Sequence, residues 1–289
     1  MVGVAITSQT ARKILIWAVL FCKEAIRMLR ALWTAGTGMS AQQLSIDTIA
    51  NNLANTNVIG YKKMRAEFQD LIYHTMRPAG SLVAQGVRSP TGLQIGHGTK
   101  LAGTTKIFTQ GDFMTTDNPL DLAIEGDGFF QVQMPDGTVA YTRNGAIKQD
   151  ADGRLVNVDG YILQPEITIP LGASEITVGT DGTISAVLSG EEQSTELGQL
   201  QLANFSNQAG LINIGSSLYK ASDASGTANI VTPGTEGAGQ IERGFLEMSN
   251  VRVIEEMINM ITVQRAYDVS SKVIQASDEM LQTANNLRR

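Results

Sequence analysis

The chain has one cysteine, Cys22, in 289 residues. No disulfide can therefore form within it, and no thiolate metal cluster. It has two histidines, His74 and His97, far apart in sequence and without Cys/His companions at metal-ligand spacing; His97, in "GHG", reads as an exposed loop histidine. Charged residues are 17% of the chain, against about 25% in an average soluble protein. Gly, Ser, Thr, Asn and Gln fill that gap, and a surface of uncharged polar groups repels its own copies weakly. The net charge of -6 offers no basic stripe to displace counterions from phosphates, which argues against a nucleic-acid partner. Long apolar runs are missing as well. The longest, inside "RKILIWAVLFCKEAIR" (12–27), covers nine residues between Lys13 and Lys23, and a bilayer needs about 20. Its cationic flank resembles a secretion signal, but no small-x-small cleavage site follows it.

Catalytic signatures are equally scarce. "GTG" (36–38) and "GDG" (126–128) do not extend to a dinucleotide fingerprint, and no G-x-S-x-G or phosphate loop is present. "DADG" (150–153) begins like a calcium loop but has Tyr161 where the last acidic ligand belongs, so it reads as an ordinary turn. Asp117, Asp121, Glu125 and Asp127 are dense enough to suggest a carboxylate pair for glycan hydrolysis. Their setting among turns favours solvated surface carboxylates. No cofactor or metal is expected.

What the chain does have is helical ends. Leu32, Gly36, Met39, Gln43, Ile46, Ala50 and Leu53 recur alternately four and three apart, which is coiled-coil spacing with small and polar interruptions. That helix is expected to close in "NNLANTNVIGYKK" (51–63) and to be finished by Gly60. At the other end, residues 248–287 contain no Gly or Pro. Ser249 or Asn250 is expected to cap a long helix there, with Glu255 and Glu256 in its early turns. Its apolar stripe runs through Ile254, Ile258, Ile261, Ala266, Val269, Val273, Ala276, Met280 and Leu287. A lone helix cannot bury such a stripe, so the two chain ends are expected to pair.

Between them the sequence changes character. From about Thr104 to Ile230 it is rich in Gly, Thr, Val and Ile, with turn dipeptides at Asp136-Gly137, Asp152-Gly153, Asp159-Gly160 and Asp181-Gly182. "FFQVQM", "TVAYTR", "GRLVNV" and "YILQPEITI" lie between those turns as successive hairpin strands. Residues 61–103 mix a short amphipathic piece (64–76) with a Gly/Pro-punctuated stretch (77–98), an extended loop or long hairpin. The fold class is α+β and discontinuous. Residues 28–60 and 245–289 form a terminal helical domain, 61–103 and 231–244 connect, and 104–230 form a β-rich domain. Residues 1–27 are an extension preceding the helical pattern.

Three segments carry a family resemblance. "LWTAGTGMSAQQLSIDTIANNLANTNVIGYKK" (32–63), "NPLDLAIEGDGFFQVQMPDGTVAYTRNGAI" (118–147) and "GFLEMSNVRVIEEMINMITVQRAYDVSSKVIQASDEML" (244–281) resemble, in order, the three signatures of bacterial flagellar rod and hook proteins. The segment from Glu67 to Gly96 resembles an insertion of the family's distal rod subunits, with hook and proximal-rod members as the alternative. The resemblance implies a non-enzymatic subunit, exported through the flagellar type III apparatus without a cleaved signal. It implies polymerisation into a hollow drive shaft across the periplasm, with the terminal helices lining the channel and the β domain outside. The implied partners are further copies, proximal rod proteins, hook protein, the surrounding periplasmic and outer-membrane rings, the export apparatus and the rod cap. Subunit packing is then expected at Leu32, Met39, Ile46 and Leu53, at the amides of Asn51, Asn52, Asn55, Asn285 and Asn286, and at Ile254, Ile258, Ile261, Val269, Val273 and Met280. Rod stiffening is expected from Glu67, Leu71, Ile72, Pro78, Leu82, Val83 and Pro90. Family members begin near the equivalent of Met28, so translation is expected to start there and not at Met1.

Overall fold

Two long helices frame the chain, α1 over Ser8–Ala54 and α2 over Val253–Asn286. The computed structural model describes residues 8–84, 87–170, 172–188, 193–235 and 237–286. They divide into two compact units. One comprises the chain up to 49, residues 66–104 and the chain from 257; the other comprises 50–65 and 105–256. Among the described residues no helix is long and apolar enough to cross a membrane.

α1 begins at Ser8, upstream of the coiled-coil spacing, and stops at Ala54, inside the Asn-rich stretch where it is expected to close, with Gly60 at φ +67° further on. The last turn is closed by a neighbouring amide: Asn55 Nδ2 donates to the Asn51 carbonyl at 2.8 Å. Asparagine competes for backbone groups in this way, which is why a run of them ends a helix. α2 carries Glu255 and Glu256 in its first turn, where the helix dipole favours negative charge. Neither Ser249 nor Asn250 caps it. Ser249 Oγ accepts from the Val251 N–H at 3.3 Å, and Asn250 is engaged further from the helix.

The connecting segment 64–106 is one long antiparallel hairpin. Met64–Asp70 pairs with Thr99–Lys106, Tyr73–Arg77 with Leu93–Gly96, and Leu82–Ala84 with Val87–Arg88. The amphipathic piece at 64–76 is thus two strands, fixed by pairing with a distant segment.

The β-rich unit is built on a seven-stranded antiparallel sheet. Its strand order is Lys148–Gln149, Leu155–Val156, Ile162–Gln164, Phe130–Gln133, Val139–Thr142, Leu218–Lys220 and Ile212–Gly215. Three of the expected hairpin turns join neighbours in this sheet, and Gly137, Gly153 and Gly160 all take positive φ there. The fourth, Asp181-Gly182, joins Ala173–Val178 to Thr183–Leu188 in a separate three-stranded sheet. Strand Ile162–Gln164 is shorter than its apolar run because Pro165 has no N–H for a ladder. Both faces of the large sheet are covered. Phe130, Val132 and Ala140 point into an aliphatic core with Leu122, Leu163 and Ile241, while Phe129, Tyr141 and Tyr219 join Phe205 in an aromatic cluster of edge-to-face rings. Gln240–Arg243, expected as connecting chain, is a strand paired with Leu122–Glu125.

Candidate functional site

In the helical unit, α1 and α2 touch at Gly38 and Ser270. On α1 Ala35, Ile49 and Asn52 are buried, and Gly38, Gln42 and Ser45, spaced three and four apart between the first two, are half-buried. On α2 Glu256 and Ser277 are buried, and Met260, Val263, Ala266, Ser270, Ser271, Ile274 and Leu281 are half-buried. A Cβ at Gly38 would lie 3.7 Å from Ser270 Oγ, so at that point the helices are in contact. The serine hydroxyls are already satisfied: Ser270 donates to the Ala266 carbonyl at 3.0 Å and Ser277 to the Val273 carbonyl at 2.8 Å. A polar group bonded to its own helix can enter a seam at little cost.

Of the stripe that the sequence suggests, Leu32, Met39, Ile46 and Leu53 on α1 are half-buried, as Gly38, Gln42 and Ser45 are. On α2 most of the stripe is open. Ile254, Ile258 and Val269 are 75%, 58% and 60% exposed, and Ile261, Val273 and Met280 are exposed too. Six large aliphatic side chains of α2 are thus exposed in the single chain, while Met260, Val263, Ile274 and Leu281 are half-buried. Asn286 is exposed; the side chain of Asn285 and all of Leu287 lie outside the described residues.

The asparagines after α1 do something other than present free amides. Asn52 is buried and pairs with strand residue Met64 as a backbone would, Nδ2 donating to the Met64 carbonyl at 2.8 Å and Oδ1 accepting its N–H at 2.9 Å. The same oxygen accepts from Tyr61 Oη at 3.2 Å, and Asn51 Oδ1 accepts from it at 2.9 Å. Asn52 is thus engaged on both its amide oxygen and its amide nitrogen inside the subunit. Asn250 plays a matching part: Oδ1 accepts from the Lys63 N–H at 2.7 Å, and Nδ2 donates to the Ile107 carbonyl at 2.8 Å.

Beneath these amides lies a buried ionic joint. Lys62 Nζ stands 2.6 Å from Glu247 Oε1, both side chains wholly buried, and donates to the Thr109 carbonyl at 2.8 Å. Arg143 Nε approaches Glu247 Oε2 at 3.2 Å as a charge contact without hydrogen-bond geometry. Its other nitrogens donate to the Gly128 and Gly126 carbonyls at 2.7 and 2.6 Å. Glu247 Oε1 also accepts from the Gly111 N–H at 2.9 Å. Burial pushes the Lys62 ammonium and the Arg143 guanidinium below their usual ranges, and the Glu247 charge opposes that shift in both. Gly60 fits over this joint only as glycine. Its φ is +67°, a Cβ would come 2.7 Å from the Arg143 backbone, and its N–H donates to the Glu247 carbonyl at 2.8 Å. Nearby, Lys106 Nζ sits 4.8 Å from the Tyr219 ring centre and 5.2 Å from that of Tyr61, and burial lowers its pKa to about 8. The signal for this joint was charge inside apolar signature segments, and only its pairing needed three dimensions.

On the long hairpin, Leu71 is half-buried and Ile72 is exposed, with the Leu71 N–H donating to the Gly98 carbonyl at 2.9 Å. Pro78 and Pro90 flank the tip, which is held by Gly80 N–H to the Ser89 carbonyl and Ser89 N–H to the Ser81 carbonyl, both 2.9 Å. Glu67 lies on its first strand, and the side chains of Leu82 and Val83 lie outside the described residues. An open groove of about 690 Å³ is lined by Ala31 and Ala35 of α1, Met76, Leu93 and Ile95 of the hairpin, and Val269 and Val273 of α2. Of the carboxylates considered for hydrolysis, Asp121 accepts from Asn118 Nδ2 at 3.0 Å and Asp127 from Gln208 Nε2 at 3.2 Å, while Asp117 and Glu125 are exposed. In the calcium-like turn, Asp150 and Asp152 pair with Arg154 at 3.3 and 2.9 Å.

Family profiles match three stretches of the chain. They are the flagella basal body rod protein profile (residues 32–62), the flagellar hook protein FlgE/F/G D1 domain (123–186) and the flagellar basal body rod FlgEFG protein C-terminal region (242–287). The flagellar basal-body rod protein FlgG of Borreliella burgdorferi is 49% identical over 264 residues, 91% of this chain and 100% of the relative. This chain belongs to the flagellar rod protein family. FlgG of Caulobacter vibrioides is 45% identical over 90% of this chain and all of the relative, and the hook-basal body complex protein FlhP of Bacillus subtilis 30% identical over the same shares. The chain is a structural rod subunit of the flagellum and not an enzyme. Each of the three matched stretches supplies one member of the ionic joint: Lys62, Arg143 and Glu247. The joint is thus where the rod family's separate signatures meet within one subunit.

Proposed function

We propose that this chain is a distal rod subunit whose terminal helices pair as a coiled coil and polymerise with those of other copies into a hollow, torque-bearing shaft. The observation that carries this reading is the exposed apolar face of α2: Ile254, Ile258, Ile261, Val269, Val273 and Met280. Burying one large aliphatic side chain contributes roughly 1.5–3 kcal/mol. Six of them, even half-exposed to begin with, represent a driving force comparable to the roughly 5–15 kcal/mol stability of a whole domain. A soluble monomer leaves such a face open only when something covers it in use. Leu32, Met39, Ile46 and Leu53 of α1 extend the same contact surface, and Asn51, Asn55 and Asn286 are placed to add uncharged polar contacts.

In this reading the subunit sits in the basal body and crosses the periplasm, reached through the type III export path without signal cleavage. It meets proximal rod subunits below, hook subunits above, ring proteins around it and the cap during growth. The β-rich unit faces outward, and the 67–96 hairpin stiffens the shaft. The test is a double substitution, Ile254→Asp with Ile258→Asp. Both sites are exposed in the single chain, so the monomer keeps its circular dichroism and melting temperature while rod formation, seen by electron microscopy of basal bodies, is lost. Rods of normal length from this variant would overturn the assignment of α2's exposed face to polymerisation.

A further inference from the structure

The chain's two histidines, separated by most of the long hairpin in sequence, come together on one face of it. His74 pairs with Ile95 across the ladder. His97, two residues further on, is therefore its diagonal neighbour on the same face, where long side chains of facing strands meet. The two ring centres are 6.4 Å apart with planes at 83°. His97 Nδ1 lies 3.0 Å from the Ile72 carbonyl oxygen. A carbonyl only accepts, so this nitrogen carries the ring's proton in the neutral imidazole and Nε2 keeps its lone pair. A metal-ligating histidine is usually oriented in the same way, its second nitrogen donating to a carbonyl.

The geometry points to a two-imidazole site, His74 with His97, for a borderline-soft divalent ion such as Zn²⁺ or Ni²⁺, held across the hairpin. Two imidazoles sharing one ion at ~2.1 Å per bond place their ring centres roughly 5–6 Å apart. His74 is exposed, and a small rotation of its side chain closes the remaining distance. The backbone under the pair is fixed by the Leu71 N–H to Gly98 carbonyl bond at 2.9 Å and by Thr99 Oγ1 donating to the Gln69 carbonyl at 3.1 Å. Imidazole nitrogen selects Zn²⁺, Ni²⁺ or Cu²⁺ over Mg²⁺ and Ca²⁺, which prefer oxygen. Among the described residues no group of three or more His, Cys, Asp or Glu is placed to hold a metal. The remaining coordination positions therefore belong to water, and the ion exchanges readily. Because it binds only the correctly registered ladder, it clips the strands Tyr73–Arg77 and Leu93–Gly96 together by linkage.

The test titrates Zn²⁺, Ni²⁺ and, as a control, Mg²⁺ into the dilute full-length chain by calorimetry, beside His74→Ala, His97→Ala and the double variant. Imidazole ¹⁵N spectra of the parent are followed in parallel. Either single substitution weakens Zn²⁺ and Ni²⁺ binding roughly ten-fold or more, the double variant binds neither, and both rings shift together in the spectra. Unchanged affinity in the double variant would overturn the site and assign the binding to surface carboxylates. A shift of one ring alone would overturn it too, by showing a lone histidine as the ligand. Neither ring is buried, so circular dichroism of the variants stays that of the parent.

Discussion

At the scale of single residues, the chain's departure from ordinary packing is the wholly buried Lys62–Glu247 pair with Arg143 beside it. Breaking a buried ion pair by removing one partner costs about 3–5 kcal/mol, because the other charge is stranded. Glu247 is the one carboxylate in contact with two cations here. Glu247→Gln should therefore destabilise the fold by about that amount, and Lys62→Met by less, since Arg143 remains to balance Glu247. Urea unfolding of the two variants measures the order; equal losses would show that packing and not charge holds the joint. Lys106 gives a pH dependence. Its folded pKa of about 8 lies below its unfolded value of 10.5, so between these the unfolded chain binds more protons and stability rises with pH. Lys62, shifted in the same direction, adds to the slope. Tyr61 and Tyr219, whose pKa values burial raises above 10.0, reverse it at higher pH. Melting temperature should climb from pH 8 towards pH 10 in the parent, and less steeply in Lys106→Met. An identical slope in both would remove Lys106 as its source.

At the scale of elements, the sequence made the existence of both helices and most hairpins legible, and hid which way the helices face. Period and turn chemistry are local: the absence of Gly and Pro over 248–287 and the Asp-Gly turns state helix and hairpin by themselves. Orientation is relational. The largest apolar stripe of α2 reads as an intrachain core, yet α1 and α2 touch at Gly38 and Ser270 while Ile254 and Ile258 stay exposed. Hydropathy ranks the faces of a helix by apolar content, and whether a face meets its own chain or another is not written in that ranking. The bonds that Asn52 makes were hidden for a related reason. An amide that mimics a backbone group, as Asn52 does against Met64, looks in sequence like one waiting for a neighbour. The joint itself was invisible because Lys62, Arg143 and Glu247 are scattered along the chain and no local pattern pairs them.

At the scale of the whole molecule, a rod subunit must be a rigid part of a stiff shaft, and the 64–106 hairpin is the element that bears on this. Its ladder runs from Met64–Asp70 with Thr99–Lys106 to Tyr73–Arg77 with Leu93–Gly96, where the register shifts between Thr75 and Arg77, and beyond that lies a tip bounded by Pro78 and Gly92. The two stems are already adjacent there: a Cβ on Gly92 would lie 2.9 Å from the Arg77 carbonyl oxygen and 3.0 Å from the Ala79 nitrogen. Excising Ala79 to Thr91 therefore joins Pro78 to Gly92 across a gap the native backbone has nearly closed, and glycine tolerates the tight turn that results. The ladder below, with Ile72, His74 and His97, is left intact. This deletion consequently separates the tip from the hairpin as a whole. If the tip reaches a neighbouring subunit and resists sliding between copies, rods built from the shortened chain should curve or bend under load while the monomer melts at the parent temperature. Electron microscopy of isolated basal bodies reads the curvature and calorimetry the melting. Straight rods from the shortened chain would place the stiffness in the ladder or in the helical seam, and would leave the tip a role outside the shaft wall.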